Sequence, residues 1–144
     1  MGRRIELACL ALALALAAST ARGDILPTPD RGPPMGEAGG LSFEVRWVEF
    51  EMGPLNGPRY HKRGQVVVLV GCDDARPNCA LARSKNLIGM EVGSVDGASL
   101  RPERGMVRQI IDAFADQAAP STIALELYSR AANSEPIEVA FARR

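Results

Sequence analysis

Apolar residues recur with two different periods along the chain, and the change of period divides it into elements. From Leu41 to Glu51, Phe43, Val45 and Trp47 alternate with Glu44 and Arg46, which predicts a strand. Val48 and Phe50 then join the opposite face, so both faces turn apolar near Trp47–Val48. A bulge, or cover on both sides, accounts for such a switch. Gln65–Val70 carries a continuous β-branched run, the pattern of a buried strand. Ala80–Lys85 suits one or two helical turns. Ile88–Val95 reads as a third strand, closed by Asp96–Gly97, a dipeptide suited to a tight turn. Thr122–Tyr128 places Ile123, Leu125 and Leu127 on one face, and Pro136–Ala142 does the same with Ile137, Val139 and Phe141. Two clean alternating strands in succession predict an antiparallel pair.

The period changes to that of a helix from Pro102 or Glu103 to Ala118. Pro102 suits a first helical turn and Glu103 suits the positive end of the helix dipole. Met106, Ile110 and Ala113 form one apolar line, Val107, Ile111 and Phe114 an adjacent one, and Arg108, Asp112 and Asp116 a polar face. The order of elements predicts an α+β domain: a small, mostly antiparallel sheet or partly open barrel with one major helix.

The N-terminus has a different logic. Met1–Arg4 is a short positive head, Leu7–Ala18 an apolar run, and Ser19–Ala21 a group of small residues. These are the three regions of a secretory signal peptide, so residues 1–21 are expected to be removed. The run is too short to span a bilayer well. Residues 22–40 are rich in Pro and Gly and read as a flexible leader, which leaves 41–144 as a single domain.

Charge narrows the partners. The chain has 17 basic and 17 acidic side chains, and loss of Arg3, Arg4 and Glu6 with the signal leaves one excess acid. That balance gives no electrostatic case for nucleic acid or an anionic membrane. Cys72 and Cys79 remain after cleavage, separated by turn-forming residues, and an exported chain is expected to join them as a disulfide. The expected compartment is periplasmic or secreted.

Candidate chemistry is sparse. The chain has no nucleophile elbow and no phosphate-binding loop. His61 is its only histidine, which leaves zinc short of ligands. Asp73–Asp74 and Glu49/Glu51 lack a third oxygen ligand at a calcium spacing. No metal or cofactor is implied, and the expectation is a non-enzymatic protein. Met52–Gly64 reads as a loop, with Arg59–Arg63 as its basic, solvated tip.

In order, these pieces resemble a PDZ domain of the bacterial type over about residues 40–142. Gly40-Leu41-Ser42-Phe43 is similar to the family's Gly-Leu-Gly-Phe carboxylate loop and leads into a strand. Val66–Val68 resembles the strand that follows, and Ala75–Leu87 stands where the family has a short helix. Gly89–Gly97 resembles its Gly-Asp-x-Ile-x-x-Val-Asp-Gly strand and turn. Pro136–Phe141 resembles a sheet completed from the C-terminus. Ser42 and Met90 depart from the family pattern. The resemblance implies that an extended peptide or a partner C-terminus adds as a strand between Phe43–Val48 and the helix. Backbone N–H groups of Leu41, Ser42 and Phe43 would hold its carboxylate, and Met106, Ile110 and Ala113 would line the groove. The alternative is a small secreted structural or inhibitor-type protein with no open groove. Pairing of the 43–48 edge within the chain would remove the groove.

Overall fold

A computed structural model of the protein describes residues 31–144. The expected signal peptide and the first part of the leader lie outside these residues. Seven strands form one open antiparallel sheet with two α-helices, an α+β fold. In chain order the strands are β1 (Met35–Ala38), β2 (Leu41–Met52), β3 (Tyr60–Cys72), β4 (Glu91–Val95), β5 (Ala98–Ser99), β6 (Thr122–Tyr128) and β7 (Ile137–Ala142). The helices are α1 (Pro77–Ser84) and α2 (Met106–Ala115). The sheet order is β1-β2-β3-β4-β6-β7, with β5 hydrogen-bonded to β4 off this path. Among the described residues no helix is long and apolar enough to cross a membrane.

One face of the sheet is the core. Leu41, Phe43, Val67, Leu69, Ile123, Leu125, Leu127, Val139 and Phe141 point to it, and Met106, Val107, Ile110 and Phe114 of α2 close over it. The alternation that predicted β6 matches the side that is buried, and that of β7 does so at Val139 and Phe141, while Ile137 at its start is exposed. Asp96–Gly97 makes the expected tight turn. Both residues have positive φ (48° and 79°), and Val95 pairs with Ala98 across them.

Three departures from the sequence reading concern the leader, the bulge and the helix. The leader does not run to residue 40: Met35–Ala38 is a strand, turned back onto β2 by Gly39–Gly40 at φ 60° and 78°. Two successive positive-φ residues make the turn that suits a two-residue hairpin, and glycine adopts it without steric cost. The bulge falls between Ser42 and Phe43, not near Trp47. The helix is shorter than its apolar pattern. A 3₁₀ turn covers Pro102–Arg104, Gly105 interrupts at φ 76°, and α2 ends at Ala115.

The two ends of the strand order meet at one side chain. Asn78, near the start of α1 and buried, donates through Nδ2 to the Gly39 carbonyl (2.8 Å) and to the Ala142 carbonyl (2.7 Å). Its Oδ1 accepts the Ala142 N–H at 2.8 Å. Asn78 therefore serves the end of β7 as a neighbouring strand would, while holding the β1–β2 turn. The Cys72–Cys79 disulfide ties the end of β3 to the next residue of α1, fixing the helix that carries Asn78.

Arg143 makes a second junction. Its side chain is 1% exposed and donates to Asp96 Oδ2 (2.9 Å), the Pro120 carbonyl (2.8 Å), the Thr122 carbonyl (3.3 Å) and the Ala113 carbonyl. The Ala113 carbonyl belongs to the last turn of α2, where carbonyls lack helical partners and a cation is favourable.

Replacing Asn78 with Ala leaves the half-buried Ala142 N–H and two carbonyls without their partner. Chemical denaturation is expected to show a loss of about 3 kcal/mol. A loss below about 1 kcal/mol would mean that water replaces the amide. Replacing both cysteines with serine is expected to cost about 2 kcal/mol, because the closed loop is short. A thiol assay on the unreduced protein should detect no free Cys72 or Cys79.

Candidate functional site

The six residues expected to form a peptide groove do not line an open one. Leu41 and Phe43 are fully buried, as is Ile110, and Met106 nearly so; all four belong to one core. Ser42 is half-buried, and its hydroxyl donates to Glu37 Oε1 of β1 at 3.5 Å. Ala113 packs on the margin of the core. The strand edge they were to share with a ligand is occupied by β1, in the register Ala38↔Leu41, Glu37↔Ser42, Gly36↔Phe43 and Met35↔Glu44. The Val45 N–H continues this ladder to the Pro34 carbonyl at 2.8 Å. Antiparallel alternation places the N–H groups of Leu41 and Phe43 on the same side as that of Val45, facing β1.

The helix packs on β1 as well as on the core: Val107, itself a core residue, and Ile111, partly buried beside it, stand against β1. A Cβ built on Gly36 would lie 2.7 Å from Val107 Cγ1 and 2.8 Å from Ile111 Cδ1. Glycine is what allows the backbone of β1 to slide between β2 and α2. The wide apolar stripe of α2 thus serves the core through both of its lines, and through Val107 and Ile111 it also receives an intramolecular strand.

Besides the outer sides of β1 and β7, which end the strand order, the far half of β2 and β3 stays open. Their pairing continues from Val45↔Val67 out to Met52↔Tyr60. Among the described residues, however, β1 leaves β2 after Val45, and the β3–β4 pairing, which starts from Leu69 bonded to Gly89 and Met90, extends toward the arm no further than Val67. β5 takes the side of β4 that β3 vacates, through Ser94↔Ser99 and Val95↔Ala98. Residues 46–52 and 60–66 therefore form a two-stranded arm with an unpaired edge on each side. It was read as a loop from Met52 onward because Gly, Pro and clustered charge dominate there. Only 53–59 is loop. The basic residues His61, Lys62 and Arg63 sit on a strand rather than on a tip.

Strand alternation gives the arm two different faces. One carries Trp47, Glu49 and Glu51 opposite Gln65, Arg63 and His61. Trp47 is 41% exposed, and the Arg63 guanidinium lies 5.9 Å from its ring centroid. The other carries Val48, Phe50 and Met52 opposite Gly64, Lys62 and Tyr60. Met52 and Tyr60 are exposed, as is Leu55 in the loop. Arg59 bonds Glu51 at 3.1 Å, and Arg46 bonds Glu44 at 3.0 Å. Among the described residues no three His, Cys, Asp or Glu side chains gather to hold a metal ion.

The arm is anchored to the body by Arg130. Its guanidinium stacks 4.2 Å from the Phe50 ring centroid and bonds both oxygens of Glu91, at 3.0 and 3.1 Å. Glu91 opens β4 and its side chain is only 8% exposed, against 37% for Arg130. A carboxylate this dry needs a fixed cation, and the bidentate fork supplies one. Tyr128 pairs with Glu91 in the sheet, and its hydroxyl accepts from Arg130 at 3.5 Å. Burial, with the neighbouring Glu91 charge adding to it, holds the Tyr128 phenol above its usual ionisation range. Neither Glu91 nor Arg130 was marked by sequence, since they lie far apart in the chain and Arg130 falls in a predicted connection.

Replacing Arg130 with Ala strands the Glu91 carboxylate and releases Phe50. Arg130 is partly open to water, so the cost should lie below that of a fully buried pair, at about 2 kcal/mol. Under native conditions trypsin should then cut after Arg59, Lys62 and Arg63 several-fold faster. An unchanged cleavage rate would show that Arg130 does not anchor the arm.

No family model, no curated protein and no solved structure matches the chain.

Proposed function

We propose that this chain is an exported, non-enzymatic interaction module that takes an extended segment of a partner protein as an added strand on the β2–β3 arm. The observation that carries the reading is the arm's pair of unpaired edges, bordered by exposed Trp47, Met52 and Tyr60. Unpaired main-chain N–H and C=O groups in a row are a template for strand addition. Export is supported by the N-terminal apolar run and by the Cys72–Cys79 disulfide.

The PDZ resemblance supplies the mode of binding but not its position. Its peptide edge corresponds to the stretch that β1 covers, so the added strand is assigned to the edges beyond Val45 and Val67. With the Leu41 and Phe43 N–H groups turned toward β1, the partner segment is read as an internal stretch rather than a C-terminus. The second reading, a small structural or inhibitor-type protein with no open groove, is favoured by the filling of the β2–α2 slot.

Selecting binders to the intact protein from a random-peptide library separates the two readings. Glu49→Pro removes an outward N–H from the β2 edge, and Arg63→Pro removes one from the β3 edge. Proline is tolerated at such positions because the N–H faces solvent. At least one of the two is expected to weaken the selected peptides about tenfold or more. Peptides with free and amidated C-termini should bind equally. Selected peptides that bind both proline variants as well as the parent would rule out strand addition and leave the second reading.

A further inference from the structure

The two edges of the arm differ in charge, and that difference selects a partner. The β2 strand of the arm carries Glu49 and Glu51, with Arg46 held by Glu44. The β3 strand carries His61, Lys62 and Arg63, with Arg59 just before it. The faces of β3 differ as well. Arg63 and His61 stand on the Trp47 side, while Tyr60 and the bare backbone of Gly64 stand on the Phe50 side. Gly64 has no side chain because the Phe50 ring leans over it: a Cβ there would lie 2.7 Å from Phe50 Cε2. The buried Gln65 Oε1 on the Trp47 side has no hydrogen-bond partner.

We infer that the β3 edge of the arm, His61–Gln65, takes an extended peptide segment in which acidic residues alternate with apolar ones. This rests on the strand-addition reading and names the edge and the chemistry of the partner. The N–H and C=O groups of His61, Arg63 and Gln65 face away from β2 and pair with the incoming main chain. Acidic side chains of the added strand fall on the Arg63 and His61 side, and apolar ones fall beside Tyr60 and Gly64. Lys62 lies between these positions.

The charges also exclude the other ways of covering this edge. Lysine and arginine on an edge strand oppose pairing with a second copy of the same edge, since like charges would then lie across the new ladder. An acidic segment converts that repulsion into attraction, so the same residues reject one occupant and admit another. Single-stranded nucleic acid would also meet a basic strand with aromatic neighbours. It would leave the main-chain edge unpaired, and Glu49 and Glu51 stand on the adjoining strand.

The test uses the intact protein and a fluorescein-labelled twelve-residue peptide alternating glutamate with valine or threonine, read by anisotropy. Its lysine-for-glutamate counterpart is the control. The acidic peptide is expected to bind saturably and more weakly as salt rises, and the lysine peptide not to bind. Arg63→Gln removes one exposed charge and should weaken binding about threefold. Arg63→Pro removes the same charge and also the outward N–H, so it should weaken binding at least about tenfold beyond Arg63→Gln. His61→Pro, which keeps Arg63, repeats the edge test if circular dichroism shows Arg63→Pro unfolded.

Equal binding to Arg63→Gln and Arg63→Pro overturns the inference, because charge capture without strand pairing would then suffice. So does equal binding of the acidic and lysine peptides. Tighter binding of a twelve-nucleotide oligo(dT) than of the acidic peptide overturns it in favour of nucleic acid. A dimer on sedimentation that dissociates in Arg63→Pro assigns the edge to a second copy instead. If library-selected peptides lose binding in Glu49→Pro but not in Arg63→Pro, the choice of edge fails and strand addition stands. If neither proline matters, both fall.

Discussion

The amide of Asn78 holds the two ends of this sheet in relation to each other. A sheet of this kind has edges at both ends of its strand order, and each edge presents main-chain groups that must find partners or water. Asn78 can donate and accept through one side chain, so it satisfies Ala142 on β7 as a neighbouring residue would, while a second Nδ2 contact fixes the Gly39 carbonyl. An aspartate in its place would lack the donor, and a leucine would lack both functions. The disulfide one residue further on keeps α1 in position for this. Covalent and hydrogen-bonded constraints thus converge on two adjacent residues, Asn78 and Cys79.

The second organising fact is how strand edges are distributed. β1 covers the first part of β2 and β5 covers the outer part of β4, so the interior strands of the body are largely paired within the chain, and its edges are those of β1 and β7. The β2–β3 hairpin outruns both β1 and β5, and it outruns them on a stem braced by Arg130 between Phe50 and Glu91. The brace matters for recognition because an ordered edge loses less conformational freedom on binding than a mobile one. Pairing within the body and exposure of the arm have one cause: two strands twelve and thirteen residues long are paired with neighbours too short to follow them.

Strands with one buried face were legible, because a period of two survives in the sequence. β6 was readable to the residue from Ile123, Leu125 and Leu127, and the Asp96–Gly97 turn from its own chemistry. β1 was not, since Met-Gly-Glu-Ala has neither β-branched residues nor alternation. Its place is set by backbone pairing and by the absence of a side chain at Gly36, and neither leaves an apolar signal. The arm was hidden for a related reason. Tyr60–Arg63 forms a strand with almost nothing to bury, so composition marked it as loop. That Val107 and Ile111 of α2 also receive β1 depends on how the helix sits against the sheet, which its two apolar lines do not encode. Arg143, a cation almost without exposure, carried no local warning, because its acceptors come from three separate segments.

The close approach at Gly36 sets where the folding unit begins. A chain started at Leu41, where the alternating pattern starts, would lack the strand that shields Leu41–Val45. It would also lose the turn whose Gly39 carbonyl Asn78 holds. The uncovered stretch would be a flat, β-rich edge beside an apolar helix face, which is the geometry that nucleates edge-to-edge aggregation. The residues just ahead of Leu41, unremarkable in composition, thus guard the solubility of everything that follows them.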